Sequence, residues 1–437
     1  MATVSQPRAL LQERLRTCTA RVAIMGLGFA GLPMAVACAE AGYSVLGLDI
    51  DPERVVRLQR GESPIADVRS HELLALLDRG ALRIDSDLAQ VGAADVVLIC
   101  VPTPLTPERT LDRRYVRQAA ATVLAHARPG QLVLLQSTAA PGTTREELAG
   151  PLAARGLEVG TDVYVAYAPE RIDPGNPHYG VRNTPKLIGG VTPACTEMAA
   201  LFFAPLVAQV VPCASPEVAE LSKLVENTFR FVNISLVNEV ARVCDRLGVD
   251  VWAVLAAAAT KPFAYLPHRP GPGVGGDCIP VTPFFLAETA RALGLEARLV
   301  AAAGAINASQ PAWVVEKLER LLAERGQTLA GARVLVLGVA YKADVADVRE
   351  SPAVGVFEAL LARGATVAYH DPYVPRFQAA GRLWLSTPYT ALERYTAVLL
   401  LTAHRRVPYT PLVGSGVLVL DTCNALADYR APNVVPL

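Results

Sequence analysis

A cysteine preceded by glycines is the first group in this sequence with the chemistry of a nucleophile. Cys278 lies in the segment GPGVGGDCIPVTPF, directly after Gly275, Gly276 and Asp277. Glycines in such a loop add no packing and usually allow a ligand or another chain segment to approach closely. A thiolate can add to an aldehyde carbon, and loss of hydride then leaves a thioester that water hydrolyses. This chemistry requires an oxyanion stabiliser, a water activator and a means of favouring the thiolate.

A second motif, GLGFAGLP, follows an apolar run and has the glycine spacing of a dinucleotide-binding turn. Gly26 allows a tight turn, Gly28 lets a pyrophosphate approach the backbone, and Gly31 allows close packing of a helix on a strand. Asp49 ends the next strand, where a carboxylate accepts hydrogen bonds from a ribose diol and repels a 2′-phosphate. The motif therefore predicts NAD rather than NADP, with Asp51 as a second candidate for the ribose contact.

The elements that must position these groups follow an alternating pattern. Apolar runs at 94–102 and 131–138 are typical of strands buried on both faces of a parallel sheet. Residues 216–247 contain no internal glycine or proline and predict one helix of about 32 residues, ~48 Å long. A second strand–loop–helix–strand pattern begins at Ala332. We predict an α/β protein with two Rossmann-like domains joined by a long central helix. The expected parts are a domain with the dinucleotide-binding motif over 1–210, a helical region with the cysteine loop over 211–325, and a second α/β domain over 326–437.

The composition argues against several classes of partner. Lys+Arg and Asp+Glu each number 41, so no charge excess favours nucleic acid or an anionic membrane. No apolar run reaches the ~18 residues of a membrane span, and the N-terminus lacks the apolar segment of a secretory signal. The eight cysteines are irregularly spaced without a CxxC pair, which favours reduced thiols over disulfides or a metal site. We therefore expect a cytoplasmic protein without metal, nucleic-acid or membrane partners.

Six motifs in a fixed order give the chain a specific resemblance. They are GLGFAGLP, ICVPTPL, STAAPGTT, YAPERIDPGN, KLVENTFRFVNISLVNE followed by PGPGVGGDCIP, and GVAYKADVADVRESP. Over nearly its whole length the chain resembles the UDP-glucose/GDP-mannose dehydrogenase family. The forms PERIDPG and PGPGVGG are most similar to the branch that acts on UDP-N-acetylhexosamines or GDP-mannose. The resemblance implies an NAD-binding domain over 1–210 and a nucleotide-sugar-binding domain over 326–437. It also implies two successive NAD-dependent oxidations of a nucleotide-diphosphate sugar, from C6 alcohol to carboxylate, by a homodimer formed through the long helix.

The resemblance also implies roles for individual residues. Cys278 is the expected nucleophile, Lys223 and Asn227 the oxyanion stabilisers, and Glu170 the acid/base for thioester hydrolysis. The spacing of Lys223 and Asn227 independently puts both on one face of a helix. Thr138 and Thr282 complete the expected catalytic set. The expected cofactor contacts are Gly26, Gly28, Phe29, Ala30, Gly31, Asp49, Thr103, Thr138 and Arg349. The expected substrate contacts are Glu170, Arg171, Lys223, Asn227, His268, Gly273, Gly275, Gly276 and Lys342.

Thr282 departs from the family pattern, which has a catalytic aspartate four residues after the cysteine. A hydroxyl cannot act as a general base near neutral pH, and general acid–base help commonly contributes ~10²–10⁴-fold in rate. Asp277 supplies a carboxylate beside Cys278, where proximity would raise the thiol pKa, but not at the aspartate's usual position. His268 and Arg269 stand where the family stacks an aromatic residue on the base, so the nucleotide can differ.

Three functions therefore stay open. The first is a nucleotide-sugar 6-dehydrogenase with altered acid–base groups. The second is different redox chemistry on the same scaffold, which stops at the aldehyde or is redox-neutral with retained NAD. The third is a non-catalytic nucleotide-sugar binder, against which the retention of Cys278, Lys223, Asn227 and Glu170 argues. A structural alternative for Glu170 is a loop ion pair with Arg171. For Lys342, Asp344, Asp347, Arg349 and Glu350 the structural alternative is an exposed ion network of little energetic worth.

Overall fold

The computed structural model describes residues 6–65, 67–106, 109–173, 175–176, 178–429 and 431–437. The chain divides into two compact units: Met1–Glu226 with Phe284–Leu293, and Asn227–Pro283 with Gly294–Leu437. This division falls inside the long helix, and the three-part division at 210 and 325 stays a prediction. Within the described residues, no helix has both the length and the apolar character that a membrane crossing requires.

An eight-stranded sheet forms the centre of the first unit. Its order is β3-β2-β1-β4-β5-β6-β7-β8, and its pairs are parallel except for β6 with β7. The order reverses direction between β1 and β4, which in such sheets is where ligands bind at the carboxyl ends of the strands. The strands are β1 (Arg21–Met25), β2 (Ser44–Leu48), β3 (Leu82–Asp85), β4 (Val96–Ile99), β5 (Gln131–Leu135), β6 (Val163–Tyr167), β7 (Lys186–Gly190) and β8 (Val210–Cys213).

Both faces of this sheet are apolar, which explains the unbroken hydrophobic runs in its central strands. Leu132 and Leu134 of β5 belong to one hydrophobic cluster, and Val133 and Leu135 belong to another. Successive side chains of a strand point to opposite faces, so each cluster covers one face of the sheet. The helices of this part of the chain are α1 (Gln6–Arg16), α2 (Gly31–Glu40), α3 (Pro52–Gln59), α4 (Ser70–Asp78), α5 (Arg114–His126), α6 (Gly150–Ala154, preceded by a π-helical turn at Arg145–Ala149) and α7 (Pro193–Phe203).

The long helix α8 (Pro216–Leu247) has the bounds that the sequence predicts. At its start, the hydroxyl of Ser215 accepts a hydrogen bond from the N–H of Val218. At its end, Gly248 takes the left-handed conformation, with φ at +68°, which a side chain would resist. The absence of a helix breaker between these two signals made the length of α8 predictable.

The second unit contains a five-stranded parallel sheet of order β10-β9-β13-β14-β15 and a separate antiparallel hairpin, β11–β12. With the first sheet, it confirms the predicted α/β fold with two Rossmann-like sheets. The remaining helices are α9 (Val251–Ala259), α10 (Thr282–Ala292), which continues into the first unit, α11 (Arg298–Ala323) and α12 (Ala353–Ala362). The strands are β9 (Arg333–Leu337), β10 (Thr366–His370), β11 (Arg376–Ala379), β12 (Arg382–Leu385), β13 (Ala397–Leu400), β14 (Leu418–Asp421) and β15 (Val434–Pro436).

Candidate active site

The glycine-rich turn lies between β1 and α2, and each of its three positions requires a glycine for a different structural reason. A Cβ on Gly26 would lie 2.6 Å from the carbonyl oxygen of Cys100, and one on Gly31 would lie 1.8 Å from the carbonyl oxygen of Gly26. Both glycines are therefore required by the chain's own packing. A Cβ on Gly28 would meet no described atom within 4 Å. A group approaching from outside accounts for a glycine at this position, so the turn fits a dinucleotide pyrophosphate against the N-terminus of α2.

Asp49 follows β2 and is buried, with 4% of its surface exposed. Its carboxylate accepts hydrogen bonds from the N–H of Leu27 at 2.8 Å and of Asp51 at 3.0 Å, and from Nη1 of Arg54 at 3.0 Å. A carboxylate has about four acceptor positions, so one is left for a ribose hydroxyl. Asp51, the second ribose candidate, instead caps α3 by accepting from the N–H groups of Glu53 and Arg54. The sequence analysis did not identify Arg54 as a partner of Asp49. Its only signal in the sequence is its position in the first turn of α3, shortly after Asp49.

Three further candidates follow neighbouring strands: Thr103 after β4, Thr138 after β5 and Glu170 after β6. The carboxyl ends of parallel strands meet at one edge of a sheet, so these residues share the edge of the glycine-rich turn. The segment after Thr138 is anchored by Glu220 of α8. Its buried carboxylate accepts hydrogen bonds from the N–H groups of Gly142 and Thr144 and from the Thr144 hydroxyl. The cofactor candidates on this edge are Gly26, Gly28, Phe29, Ala30, Gly31, Asp49, Thr103 and Thr138.

Glu170 is held by four donors. Its Oε1 accepts from the N–H groups of Arg171 at 2.8 Å and Ile172 at 3.1 Å. Its Oε2 accepts from Nε2 of Gln136 at 2.7 Å and from Nζ of Lys186 at 3.3 Å. The carboxylate is therefore fixed in orientation before any substrate arrives.

The guanidinium of Arg171 makes its ion pair with Glu226 at 2.7 Å and also donates to the carbonyl of Pro185. Arg171 contacts Glu170 through its backbone N–H and not through its guanidinium. The structural alternative, an ion pair between the two side chains, is therefore wrong. Lys186 and Gln136 were not found from the sequence. Lys186 opens an apolar strand, and Gln136 directly follows another, so neither stands in a recognisable motif.

Thr282 connects the candidate nucleophile to the candidate oxyanion donor. Asn227 donates from Nδ2 to the hydroxyl of Thr282 at 3.1 Å, and the N–H of Thr282 donates to the carbonyl of Cys278 at 2.9 Å. Thr282 is the first residue of α10 and is 1% exposed. Asn227 and Lys223 lie one turn apart on α8, and both are buried. The hydroxyl at this position therefore fixes the amide of Asn227 relative to the turn that carries Cys278.

The thiol of Cys278 is exposed and lies beside a charged pair. Its Sγ is 3.5 Å from Oδ1 of Asp277, whose Oδ2 accepts a 2.6 Å hydrogen bond from Nη1 of Arg349. Arg349 also binds Asp347 through Nε and Nη2, and its carbonyl accepts the N–H of Gly276. Arg349, expected to contact the cofactor, is thus part of an internal ion cluster that holds the cysteine loop.

The glycines of the cysteine loop pack against the chain itself. A Cβ on Gly275 would lie 2.6 Å from Cβ of Tyr341, one on Gly276 would lie 2.9 Å from the Tyr341 ring, and one on Gly273 would lie 3.1 Å from Pro352. Internal packing therefore accounts for these glycines without a ligand, and their contact with a sugar nucleotide stays a prediction. The other substrate candidates of this unit are His268, whose ring is 5.8 Å from that of Phe229, and Lys342, which is half-buried in the loop after β9.

Comparison with known proteins gives three matches along the chain. The models of the UDP-glucose/GDP-mannose dehydrogenase family match its NAD binding domain over residues 20–207, its central domain over 217–309 and its UDP binding domain over 335–428. The predicted resemblance is thereby confirmed, and the NAD-binding match agrees with the fit of the glycine-rich turn.

Full-length relatives give the same result. The chain is 32% identical to a UDP-N-acetyl-D-mannosamine dehydrogenase of Methanococcus maripaludis, over 88% of this chain and 86% of the relative. It is 32% identical to a UDP-N-acetyl-D-glucosamine 6-dehydrogenase of Pseudomonas aeruginosa, over 88% and 90%. The solved structure of a UDP-D-ManNAc dehydrogenase from Pyrococcus horikoshii superposes with a TM-score of 0.86, at 31% identity and over 95% and 98% of the two chains.

The contact between Asp277 and Cys278 predicts that Asp277→Asn speeds alkylation of this thiol by iodoacetamide. A carboxylate against the sulfur opposes formation of the thiolate, and its removal also leaves the positive charge of Arg349 uncompensated on that side. We expect a rate at pH 7 about threefold to tenfold higher, followed by intact-mass spectrometry with Cys278→Ala as the background. Glu350→Gln, the same loss of charge next to Arg349, is the matched control. An unchanged or slower rate in Asp277→Asn would contradict the electrostatic role of Asp277.

Proposed function

The chain belongs to the UDP-glucose/GDP-mannose dehydrogenase family, and we propose that it oxidises C6 of a UDP-N-acetylhexosamine from alcohol to carboxylate with NAD. One observation carries the proposal: the exposed thiol of Cys278 lies on a turn that Thr282 bonds to the amide of Asn227. The proposed nucleophile and the proposed oxyanion donor therefore belong to one hydrogen-bonded cluster. The relatives named for N-acetylmannosamine and N-acetylglucosamine dehydrogenases make these two sugars the first substrates to test.

In the proposed mechanism, NAD supplies a hydride acceptor for C6 in each of two oxidations. The sulfur of Cys278 adds to the C6 aldehyde, so that an S–C bond forms and the π electrons of the carbonyl move to its oxygen. The amide nitrogen of Asn227 carries two hydrogens, of which Thr282 takes one. The second hydrogen can donate to the new oxyanion, and Lys223 contributes positive charge from the same helix face.

Glu170 is the proposed water activator for hydrolysis of the thioester. The water oxygen bonds to the thioester carbon, its proton passes to the Glu170 carboxylate, and the C–S bond breaks with its electron pair on sulfur. The fixed orientation of the carboxylate supports this role. Thr103 and Thr138 are proposed to contact the cofactor near the reacting carbon. Arg171, His268 and Lys342 are proposed to contact the substrate.

A second candidate function is oxidation that stops at the aldehyde. Thr282, a buried neutral hydroxyl, stands where the family pattern has a carboxylate. Its bond to Asn227 supports a role in orienting the oxyanion donor, but it supplies no acid–base group. The number of NADH molecules formed per sugar distinguishes the two functions.

Turnover tests the proposed function directly. With NAD and a panel of UDP-N-acetylmannosamine, UDP-N-acetylglucosamine, UDP-glucose, GDP-mannose and TDP-glucose, we expect two NADH per sugar and a 6-carboxylate product for an N-acetylhexosamine. Cys278→Ala should lose carboxylate formation by ~10²-fold or more, because the thioester cannot form. Cys244→Ala, a buried cysteine in α8, is the control. One NADH per sugar would identify the aldehyde-forming alternative. Binding without turnover would leave a nucleotide-sugar binder.

Thr282→Asp tests whether acid–base help is what this position lacks. An aspartate can still accept the hydrogen bond of Asn227 and adds a carboxylate that can take a proton. We expect kcat to rise by ~10-fold or more, since such help is commonly worth ~10²–10⁴-fold. Thr282→Asn, of similar size but uncharged, separates charge from shape. If kcat does not rise, the result counts against a 6-dehydrogenase that lacks acid–base help at position 282.

An apolar stripe on α8 supports a homodimer. Seven exposed side chains, between 40% and 70% accessible, are spaced by three, four or seven residues and so lie on one helix face. Solvent-exposed apolar stripes of this length are typical of protein interfaces. The residues are Val218, Leu221, Val225, Phe229, Leu236, Val243 and Leu247.

We expect the purified protein to sediment as a dimer and the double variant Val225→Lys/Leu236→Lys to sediment as a monomer, because the two ammonium groups that each protomer would bury at an apolar interface have no partner. Arg230→Glu, an exposed change on the same helix outside the stripe, should leave the dimer intact. Sedimentation velocity measures both. A dimeric double variant would place the interface elsewhere.

A further inference from the structure

We infer that Asn238 and Gln310 are positioning residues: their side-chain amides hold the peptide group of Gly271 and so keep residues 268–276 in the shape that receives the nucleotide sugar. The inference rests on the proposed function, in which this segment contributes His268 and Gly273 to the substrate site. It adds two buried residues from two helices, neither of which has a role in the sequence analysis.

The segment 268–276 needs partners from outside itself. It forms neither helix nor strand, so its backbone groups have no regular hydrogen-bond partners. Pro270 and Pro272 are buried and have no N–H, so Gly271 supplies the only backbone donor between Arg269 and Gly273. The polar atoms of this one peptide group are therefore the points at which the protein can hold this stretch of chain.

Two helices bind both polar atoms of Gly271. Its N–H donates to Oδ1 of Asn238 on α8 at 2.9 Å, and its carbonyl accepts from Nε2 of Gln310 on α11 at 2.9 Å. Asn238 and Gln310 are each 0% exposed. A third amide acts three positions further on, where the N–H of Val274 donates to Oδ1 of Asn307 on α11 at 2.7 Å. The segment is thus attached to α8 and α11 through side chains rather than through a sheet ladder.

Arg242 on α8 determines which way the amide of Gln310 faces. A guanidinium can only donate, and it binds Oε1 of Gln310 through Nε at 3.0 Å and through Nη2 at 2.8 Å. Nη2 also donates to the carbonyl of Ile306 and to the hydroxyl of Ser309. Because the oxygen end of the amide belongs to Arg242, its NH₂ end has to face the carbonyl of Gly271. Arg242, Gln310 and Asn238 therefore form a clamp with one defined direction for every hydrogen bond.

The clamp acts on the substrate side of the cysteine loop. His268 precedes Gly271 by three residues, and Gly273 follows it by two. The cysteine turn has its own attachment, because the N–H of Gly276 donates to the carbonyl of Arg349 at 2.9 Å. Loss of the clamp should therefore weaken binding of the nucleotide sugar more than it slows the chemistry on a bound sugar.

Gln310→Glu tests the clamp with a side chain of the same shape. The glutamate still accepts from Arg242, but it presents an oxygen to the carbonyl of Gly271 where the amide donated. We expect KM for the best UDP-N-acetylhexosamine to rise about fivefold or more, with kcat and KM for NAD within about twofold of the wild type. Gln131→Glu makes the same change in a buried glutamine at the start of β5, whose Nε2 also donates to backbone carbonyls, and should leave all three unchanged.

Hydrogen exchange over residues 269–277, followed by mass spectrometry, gives a readout that needs no ligand. Three N–H groups of this segment donate to acceptors outside it. We expect their exchange to be about fivefold faster or more in Gln310→Glu and unchanged in Gln131→Glu. Asn238→Leu, of similar size but without the acceptor of the Gly271 N–H, carries the same predictions for exchange and for KM. It replaces Gln310→Glu if that variant does not fold.

The outcomes separate this inference from the proposed function. If exchange is unchanged in Gln310→Glu and Asn238→Leu, or if it rises while KM for the sugar stays at the wild-type value, the inference is overturned and the proposed function stands. If the wild type binds a UDP-N-acetylhexosamine without oxidising it, the proposed function fails, and Kd from calorimetry replaces KM in the same comparison. If the wild type binds none of the sugars, both fail. A rise in exchange and in KM that Gln131→Glu does not show supports both.

Discussion

A charged group withdrawn from water must find a partner, and this constraint arranges the carboxyl edge of the first sheet. Glu220 on α8 is fully buried and draws in the N–H groups of Gly142 and Thr144, which ties the long helix to the segment after β5. Lys186 on β7 and Glu170 after β6 bind each other across two strands. The same interactions that make burial tolerable therefore also fix the positions from which these groups can act.

Around Cys278 the charges are arranged differently. The neutral hydroxyl of Thr282 links Asn227 to the cysteine turn, while the negative charge of this region lies on Asp277 and Asp347, both bound to Arg349. A buried carboxylate at position 282 would need a compensating positive group, whereas a hydroxyl needs only a hydrogen-bond partner. Compared with the family pattern, Thr282 thus keeps an acceptor for the amide of Asn227 and supplies no carboxylate.

The sequence predicted the features that local signals determine. Helix α8 was predictable because Ser215 and Gly248 enclose an uninterrupted helical pattern, and the glycine-rich turn because its spacing is tied to one ligand geometry. The ion pair of Lys186 was not predictable, because its partner Glu170 is sixteen positions away in sequence and only the pairing of β6 with β7 brings the two residues together. The glycines before Cys278 show a second limit: a glycine required by the ring of Tyr341 has the same sequence signal as one required by a ligand.

The contacts of Glu170 and the hydrogen bond of Thr282 are linked through the proposed reaction. If position 282 supplies no base, more of the proton transfer in the proposed mechanism falls on Glu170. Glu170 can act only in the orientation that its donors impose, because Gln136, Lys186 and two backbone N–H groups hold both carboxylate oxygens. The contacts that accommodate this carboxylate at the sheet edge would therefore also determine where a water molecule has to lie to be activated.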